Sequence, residues 1–329
     1  MMNEEQKLII ETAKRIFADQ CDKTVVDAAE AGDFPSDLWR TLEETGLTLA
    51  GIAEEAGGSG GSFADALLLI REAGAVAAPI PLAEHLISAS MLAAAGKALP
   101  SGIMTIAMVE SDQVCQVAYT EVADWVLWIN EQGMLLVPNE DIPWARQSTI
   151  AGESWASLAL SDWQPKGELV ELEDALALAR QKGAASRVNL MAGAISRVLE
   201  MSVQYVTDRE QFGRPLAKFQ AIQHQLSMLA GESAACQRSA DAVLYSTGDL
   251  DVAIGKARSG EAVTLVSDIA HQVHGAIGYT LEHALNLRTR RLWQWRDEYG
   301  SERYWQLIIG ERFCRLGADG LWAGITEAG

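Results

Sequence analysis

Apolar positions recur every three or four residues along roughly the first hundred residues and again, more regularly, from about residue 173 onward; between them the pattern shortens to near-alternation. In the first region Pro35-Ser36-Asp37 predicts a helix over Leu38 to Glu44, with Gly46 placed as its stop. The Gly57-Gly58-Ser59-Gly60-Gly61 stretch predicts a loop, and Ser62 with Asp65 three residues on predicts the capped start of a helix carrying Ala66, Leu67, Leu69 and Ile70. That loop is not a phosphate loop, because Ser62-Phe63 follows where a Walker sequence needs Lys and a hydroxyl.

Between about 102 and 170 the texture changes, and five of the ten tryptophans (Trp125, Trp128, Trp144, Trp155, Trp163) fall there. Aromatic and β-branched residues suit a pleated, half-buried surface. Ile103 to Val109, Trp125 to Asn130 and Met134 to Val137 predict strands, with Asn130-Glu131-Gln132-Gly133 as a hairpin connection. Beyond them run three apolar stripes: Met191, Ile195, Val198 and Tyr205; Phe219, Ile222, Leu226 and Leu229; Val263, Val266, Ala270 and Val273. The expected architecture is mainly α with a small β domain: an N-terminal helical domain over 1–101, a middle β domain over 102–172 and a C-terminal four-helix bundle over 173–329.

Composition narrows the partners. With 45 acidic and 26 basic side chains in 329 residues the formal charge is −19, which repels phosphodiester backbones and anionic bilayers. Nucleic acid is not an expected partner. Cys21, Cys115, Cys236 and Cys314 lie far apart with no C-x-x-C pair, which fits a reducing, cytoplasmic setting. Met1-Met2-Asn3-Glu4-Glu5 lacks a basic leader region, and no apolar run of about 18 residues predicts a membrane span.

Two helix breaks stand out. Asp208-Arg209-Glu210-Gln211-Phe212-Gly213-Arg214-Pro215 sets Arg209, Arg214 and the nearby Lys218 at a helix end, either as a solvated turn or as a grip for an anion, for which the planar guanidinium fork suits a pyrophosphate. Gln272-Val273-His274-Gly275-Ala276-Ile277-Gly278-Tyr279-Thr280 carries two glycines that let backbone come close to a ligand. Residues 286–315 add seven arginines against four acids, a local surplus of three positive charges. His271, His274 and His283 lack a third ligand in metal spacing, so no metal is expected. No Gly-x-Ser-x-Gly elbow supports a hydrolase.

The Arg-x-x-Phe-Gly turn feeding Phe219-Gln220-Ala221-Ile222-Gln223-His224-Gln225-Leu226, the later Gln-x-x-x-Ala-x-Gly-Tyr-Thr turn and the early Gly51-to-Ser62 segment resemble the acyl-CoA dehydrogenase family. The resemblance spans nearly the whole chain and is strongest in its C-terminal half. It implies FAD bound between subunits, with Arg209 on the pyrophosphate, Gln211 and Phe212 lining the cofactor, and Gln272 with Gly275 meeting the adenosine half of a neighbouring chain's FAD. Phe212 as interface core and Gln272 as an exposed helix residue are the plainer alternatives. It also implies α,β-dehydrogenation of an acyl-CoA thioester, in fatty acid or sterol catabolism, with electrons passed to an electron-transferring flavoprotein by a homotetramer or an α2β2 heterotetramer.

The chain departs from the family pattern at the base. Ungapped counting places Tyr299 where the family carries its catalytic Glu, one residue after Glu298, and Ser186 at the alternative family position, directly before Arg187. Three readings follow. Glu298, or Asp297, serves as catalytic base through a one-residue shift; a partner subunit carries the base; or the chain is a non-catalytic structural subunit of a heteromeric complex. Glu298 as a surface acid paired with Arg296 or Arg303 is the plain alternative. In the stretch Ala107-Met108-Val109-Glu110-Ser111-Asp112-Gln113 only Glu110 keeps the family's type, and Val109 replaces a flavin-contacting hydroxyl. Ala192-Gly193-Ala194 offers either room for a bulky acyl group or close helix contact.

Overall fold

The computed structural model describes residues 3–110, 114–161, 163–245 and 248–326. Ser111-Asp112-Gln113 and the Cys115 side chain, both part of the expectations above, lie outside the described residues. The helical beginning comprises α1 (Glu4–Gln20), α2 (Lys23–Glu30), α3 (Ser36–Glu44), α4 (Phe63–Val76) and α5 (Leu82–Ala94). The α3 helix starts two residues before the expected Leu38 and ends as expected, with Gly46 at φ +71°, a left-handed stop that glycine adopts freely. At the head of α4 the Ser62 backbone N–H donates to Asp65 Oδ2 at 2.7 Å, so the expected acid satisfies a donor the helix cannot.

Six short strands follow: β1 (Met104–Met108), β2 (Val114–Ala118), β3 (Trp125–Asn130), β4 (Gly133–Pro138), β5 (Ala145–Gln147) and β6 (Trp155–Ala159). They form two three-stranded sheets, in the orders β1-β3-β4 and β2-β6-β5. Asn130 pairs with Gly133, leaving Glu131-Gln132 as the two-residue hairpin loop. The second sheet is absent from the sequence-based expectation, since β2 and β5 carry Gln and Arg among small residues and show no clear alternation.

The helical end comprises α6 (Ala175–Asp208), the two-residue strands β7 (Glu210–Gln211) and β8 (Arg214–Pro215), α7 (Gln220–Tyr245), α8 (Asp249–His274), α9 (Leu285–Asp297), α10 (Glu302–Arg315) and α11 (Gly317–Thr326). Met191, Ile195 and Val198 on α6 and Val263, Val266, Ala270 and Val273 on α8 are buried against one another in the main core, with Tyr205 half-buried at its end. On α7 only Leu229 of the expected stripe is fully buried. The small residues around Gly193 prove to be a close contact: a Cβ there would sit 2.0 Å from the Arg71 carbonyl oxygen of α4, and one on Gly74 would sit 2.3 Å from that of Leu190. Two bare backbones therefore lock α4 onto α6, and no acyl-sized room exists there. Among the described residues no helix is long and apolar enough to cross a membrane.

Candidate functional site

A cleft of about 170 Å³ opens between the sheets and the bundle, with β1, β2 and β6 on one wall and α6 with the turn 298–300 on the other. Glu298 lines it, but its carboxylate is already engaged. Arg187 Nε donates to Glu298 Oε2 at 2.5 Å and Arg187 Nη2 donates to Glu84 Oε1 at 2.5 Å, with all three side chains nearly inaccessible. Gln294 Nε2 donates to Glu298 Oε1 at 3.0 Å. Burial works against the Arg187 charge, yet Glu298 and Glu84 outweigh it and push its pKa well above the usual range. The surface pairing of Glu298 with Arg296 or Arg303 is thereby corrected: Arg296 meets Asp297 and Glu302 instead.

The turn that carries Glu298 is fixed from behind. Lys256, fully buried on α8, donates to the carbonyl oxygens of Arg296 at 2.6 Å and Gly300 at 2.8 Å, bracketing Asp297-Glu298-Tyr299. Burial pulls its pKa down to about 7. Tyr299 has left-handed backbone (φ +55°), and a Cβ on Gly183 of α6 would lie 2.1 Å from its ring, so the ring covers bare backbone. The Arg187 guanidinium lies over the same ring at 4.9 Å. Ser186 is buried, and its hydroxyl donates to the Gly183 carbonyl at 2.6 Å. Neither Tyr299 nor Ser186, the two family positions, carries a carboxylate, and Glu298 and Glu84 beside them are both held by Arg187.

The cleft does not fit a flavin. Its volume falls below the roughly 300 Å³ at which ligand pockets of ordinary size begin. Glu110, the one family-type residue in its β wall, is tied to Arg180 at 2.7 Å, and Val109 brings no hydroxyl. An ion-paired guanidinium and this wall do not suit a flavin ring.

The two helix breaks form the second candidate region. Gln211 pairs with Arg214 across a tight turn in which Phe212 (φ +52°) and Gly213 (φ +75°) are both left-handed, the mirror-image type that hairpins favour. Such backbone is strained for a phenylalanine. It holds the Phe212 ring 90% exposed, with Phe219 edge-on to it at 6.1 Å. Arg209 caps α6 from the same turn, is exposed, and has no ion pair among the described residues. At the end of α8, Gly275 combines φ +63° with ψ −147°, which L side chains rarely adopt, and a Cβ there would meet only open space. Gln272 is exposed beside it.

The helix ends that carry these breaks touch within one chain. Tyr205, one turn before Arg209, stacks on His274 at 4.6 Å, and His274 packs on His283 at 4.9 Å. His271 stacks on Tyr279 at 4.4 Å. Burial lowers the pKa of His271, His274 and His283 alike. Among the described residues no group of His, Cys, Asp or Glu could hold a metal ion. The two breaks thus carry an exposed guanidinium with no ion pair among the described residues, an exposed aromatic ring, an exposed amide and an open glycine, and the Tyr205–His274 stack links the helices that bear them.

Glu84, Lys256, Glu153 and Arg291 escaped the sequence reading, and Arg187 entered it only as the neighbour of Ser186. The usable signal was a charge inside an apolar run, as with Glu84 within Ala83 to Leu92 and Arg187 within Gly183 to Ile195.

Residues 3–98 match the family model for the acyl-CoA dehydrogenase N-terminal domain and residues 176–310 that for the acyl-CoA dehydrogenase C-terminal domain. The chain is 29% identical to acyl-CoA dehydrogenase IpdE2 of Mycolicibacterium smegmatis over 310 residues, covering 88% of this chain and 93% of that protein. In fold it resembles the Tcur3481-Tcur3483 steroid ACAD G363A variant (TM-score 0.85, 23% identity, 95% of this chain and 98% of that one). It also resembles the ChsE4-ChsE5 complex from Mycobacterium tuberculosis (TM-score 0.81, 20% identity, 95% and 98% covered). With both helical domains matched by models of one family, the chain belongs to the acyl-CoA dehydrogenase family.

Proposed function

We propose that this chain works as one subunit of a heteromeric acyl-CoA dehydrogenase: its exposed corner helps to hold FAD at the subunit boundary, and the partner chain supplies the base that removes the α-proton of the acyl-CoA. The observation that carries this is the engagement of Glu298, the candidate base in the cleft wall, by the buried Arg187. A general base needs a free oxygen lone pair within reach of the proton it takes, whereas both Glu298 oxygens already accept hydrogen bonds, Oε2 from Arg187 and Oε1 from Gln294.

In this reading Arg209 donates its planar fork to a diphosphate, Phe212 and Gln211 flank it, and Gln272 with the bare Gly275 backbone receives the adenosine portion. FAD held by these residues would supply the hydride acceptor for the β-hydrogen, with an electron-transferring flavoprotein as the onward electron acceptor. The likeness to the Tcur3481-Tcur3483 steroid ACAD and to the ChsE4-ChsE5 complex supports an α2β2 assembly acting on a fatty or sterol-derived acyl-CoA in the cytoplasm. The domain limits proposed are 1–101, 102–172 and 173–329.

A second reading, in which Glu298 is itself the base, draws on its place in the cleft wall. Glu298→Gln in the assembled enzyme separates the two. Turnover of acyl-CoA with a dye acceptor should stay within about threefold of the parent. Loss of a thousandfold or more would return the base to this chain and overturn the proposal.

A further inference from the structure

Behind the Glu84–Arg187–Glu298 cluster, Arg291 of α9 is fully buried. Its Nη1 donates to the Ala77 carbonyl, but Nε and Nη2 have no hydrogen-bond partner among the described residues. The nearest acid is Glu153, whose Oε1 lies 3.9 Å from Nε, beyond hydrogen-bond reach. The buried Ser154 hydroxyl likewise has no partner. Arg291, Ser154 and Glu153 all line a cavity of about 40 Å³, together with Ala29 and Gly32 from α2 and its exit and Tyr119.

We propose that this cavity is a binding site for a small monovalent anion, a halide or a formate-sized carboxylate, held by Arg291 Nε and Nη2 and by the Ser154 hydroxyl. Glu153 pairs with this guanidinium only at 3.9 Å, so two buried N–H donors are left without an acceptor, and an anion entering the cavity would supply it. The oxygens of the surrounding acids are taken up by other donors. Glu30 accepts two 2.9 Å bonds from Arg290, and Glu121 pairs with Arg146 at 3.0 Å. Glu153 accepts from Gln294 at 2.9 Å, Trp295 at 3.3 Å and Tyr119 at 3.4 Å. One water needs roughly 10–15 Å³ of such space, so the cavity admits a halide or a three-atom carboxylate and excludes any nucleotide. Gly32 at its rim leaves open space where a Cβ would stand.

The site is linked to protons through Glu153, which burial pushes up to about 7. The groups facing that carboxyl are Tyr119, Arg291, Gln294 and Trp295, with the charges of Glu298, Arg187 and Glu84 nearby. When Glu153 takes up a proton, Arg291 loses its nearest negative charge, so anion affinity rises as the pH falls through about 7.

The test uses the full chain, alone or in its assembly, melted in sodium bromide, chloride, formate or gluconate at matched ionic strength, with crystals grown in bromide. Bromide and chloride should raise Tm saturably over gluconate, with a midpoint about threefold or more lower at pH 6 than at pH 8. Formate should join them if carboxylates enter. An anomalous bromide peak should lie beside Arg291 Nη2. Ala29→Met, which fills the cavity, should abolish the salt-specific rise while leaving Tm in gluconate close to the parent, and Ser154→Ala should raise the midpoint several-fold. Equal Tm in all four salts, whether with waters alone beside Arg291 or with a bromide peak that is an adventitious ion only, overturns the proposal.

Discussion

The cleft and the corner lie on the same helix, α6, with Arg187 and Arg209 separated by roughly 33 Å at 1.5 Å per residue, yet they treat charge in opposite ways. In the cleft Glu84, Arg187 and Glu298 satisfy one another and are shut off from water. At the corner Arg209 has no ion pair among the described residues, Phe212 is 90% exposed on strained backbone, and Gly275 faces open space. A set of charges that is complete within its own chain serves stability; a set left incomplete on a costly backbone calls for a ligand or a neighbour. The family's chemistry is thus most legible in this chain where its surface is least finished.

The largest expected effect breaks the closed side. Arg187→Met leaves two buried carboxylates without their cation and should lower unfolding stability by about 3–5 kcal/mol in urea titrations; a loss under about 1 kcal/mol would mean that the cleft is not held by charge. Next, Arg209→Ala should leave the stability of the isolated chain unchanged and weaken FAD retention by the assembly about 10- to 100-fold, as expected for loss of a charge-assisted contact. Flavin absorbance after dialysis measures this, and unchanged retention would remove the corner from cofactor binding.

A smaller effect comes from pH. Glu153 has a folded pKa of about 7 against an ordinary value of 4.5, so its contribution favours the fold below about 4.5 and is lost as the pH rises through about 7. His85, lowered by burial to about 4, acts in the opposite sense between about 4 and 6.5. The two partly cancel in the parent. Glu153→Gln should therefore make stability rise more steeply with pH between about 4.5 and 6.5 than in the parent, and parallel curves would show that this carboxyl does not titrate there.

The helical parts were legible because their signals are local and repeated. Gly46, the Ser62–Asp65 pair and the α6 and α8 stripes follow from spacing alone, and the β3–β4 hairpin was readable from its apolar runs. The β2-β6-β5 sheet was not, because its strands are held by pairing partners about 40 residues apart, such as Val117 with Ala156. At the site, sequence located Glu298 in the cleft wall but not its partner. Arg187 lies 111 residues away from it and Glu84 a further 103 from Arg187, and only the packing of α5, α6 and the 298–300 turn brings the three together.

The Tyr299 turn bears on any attempt to equip this chain with a base of its own. A glutamate introduced at 299 inherits a left-handed backbone, uncovers the bare Gly183 surface that the phenol ring now shields, and points a third acid at a guanidinium already shared by two. Gaining the proton acceptor thus requires rebuilding at least three positions at once, so a single replacement would more readily loosen the fold than awaken chemistry in it.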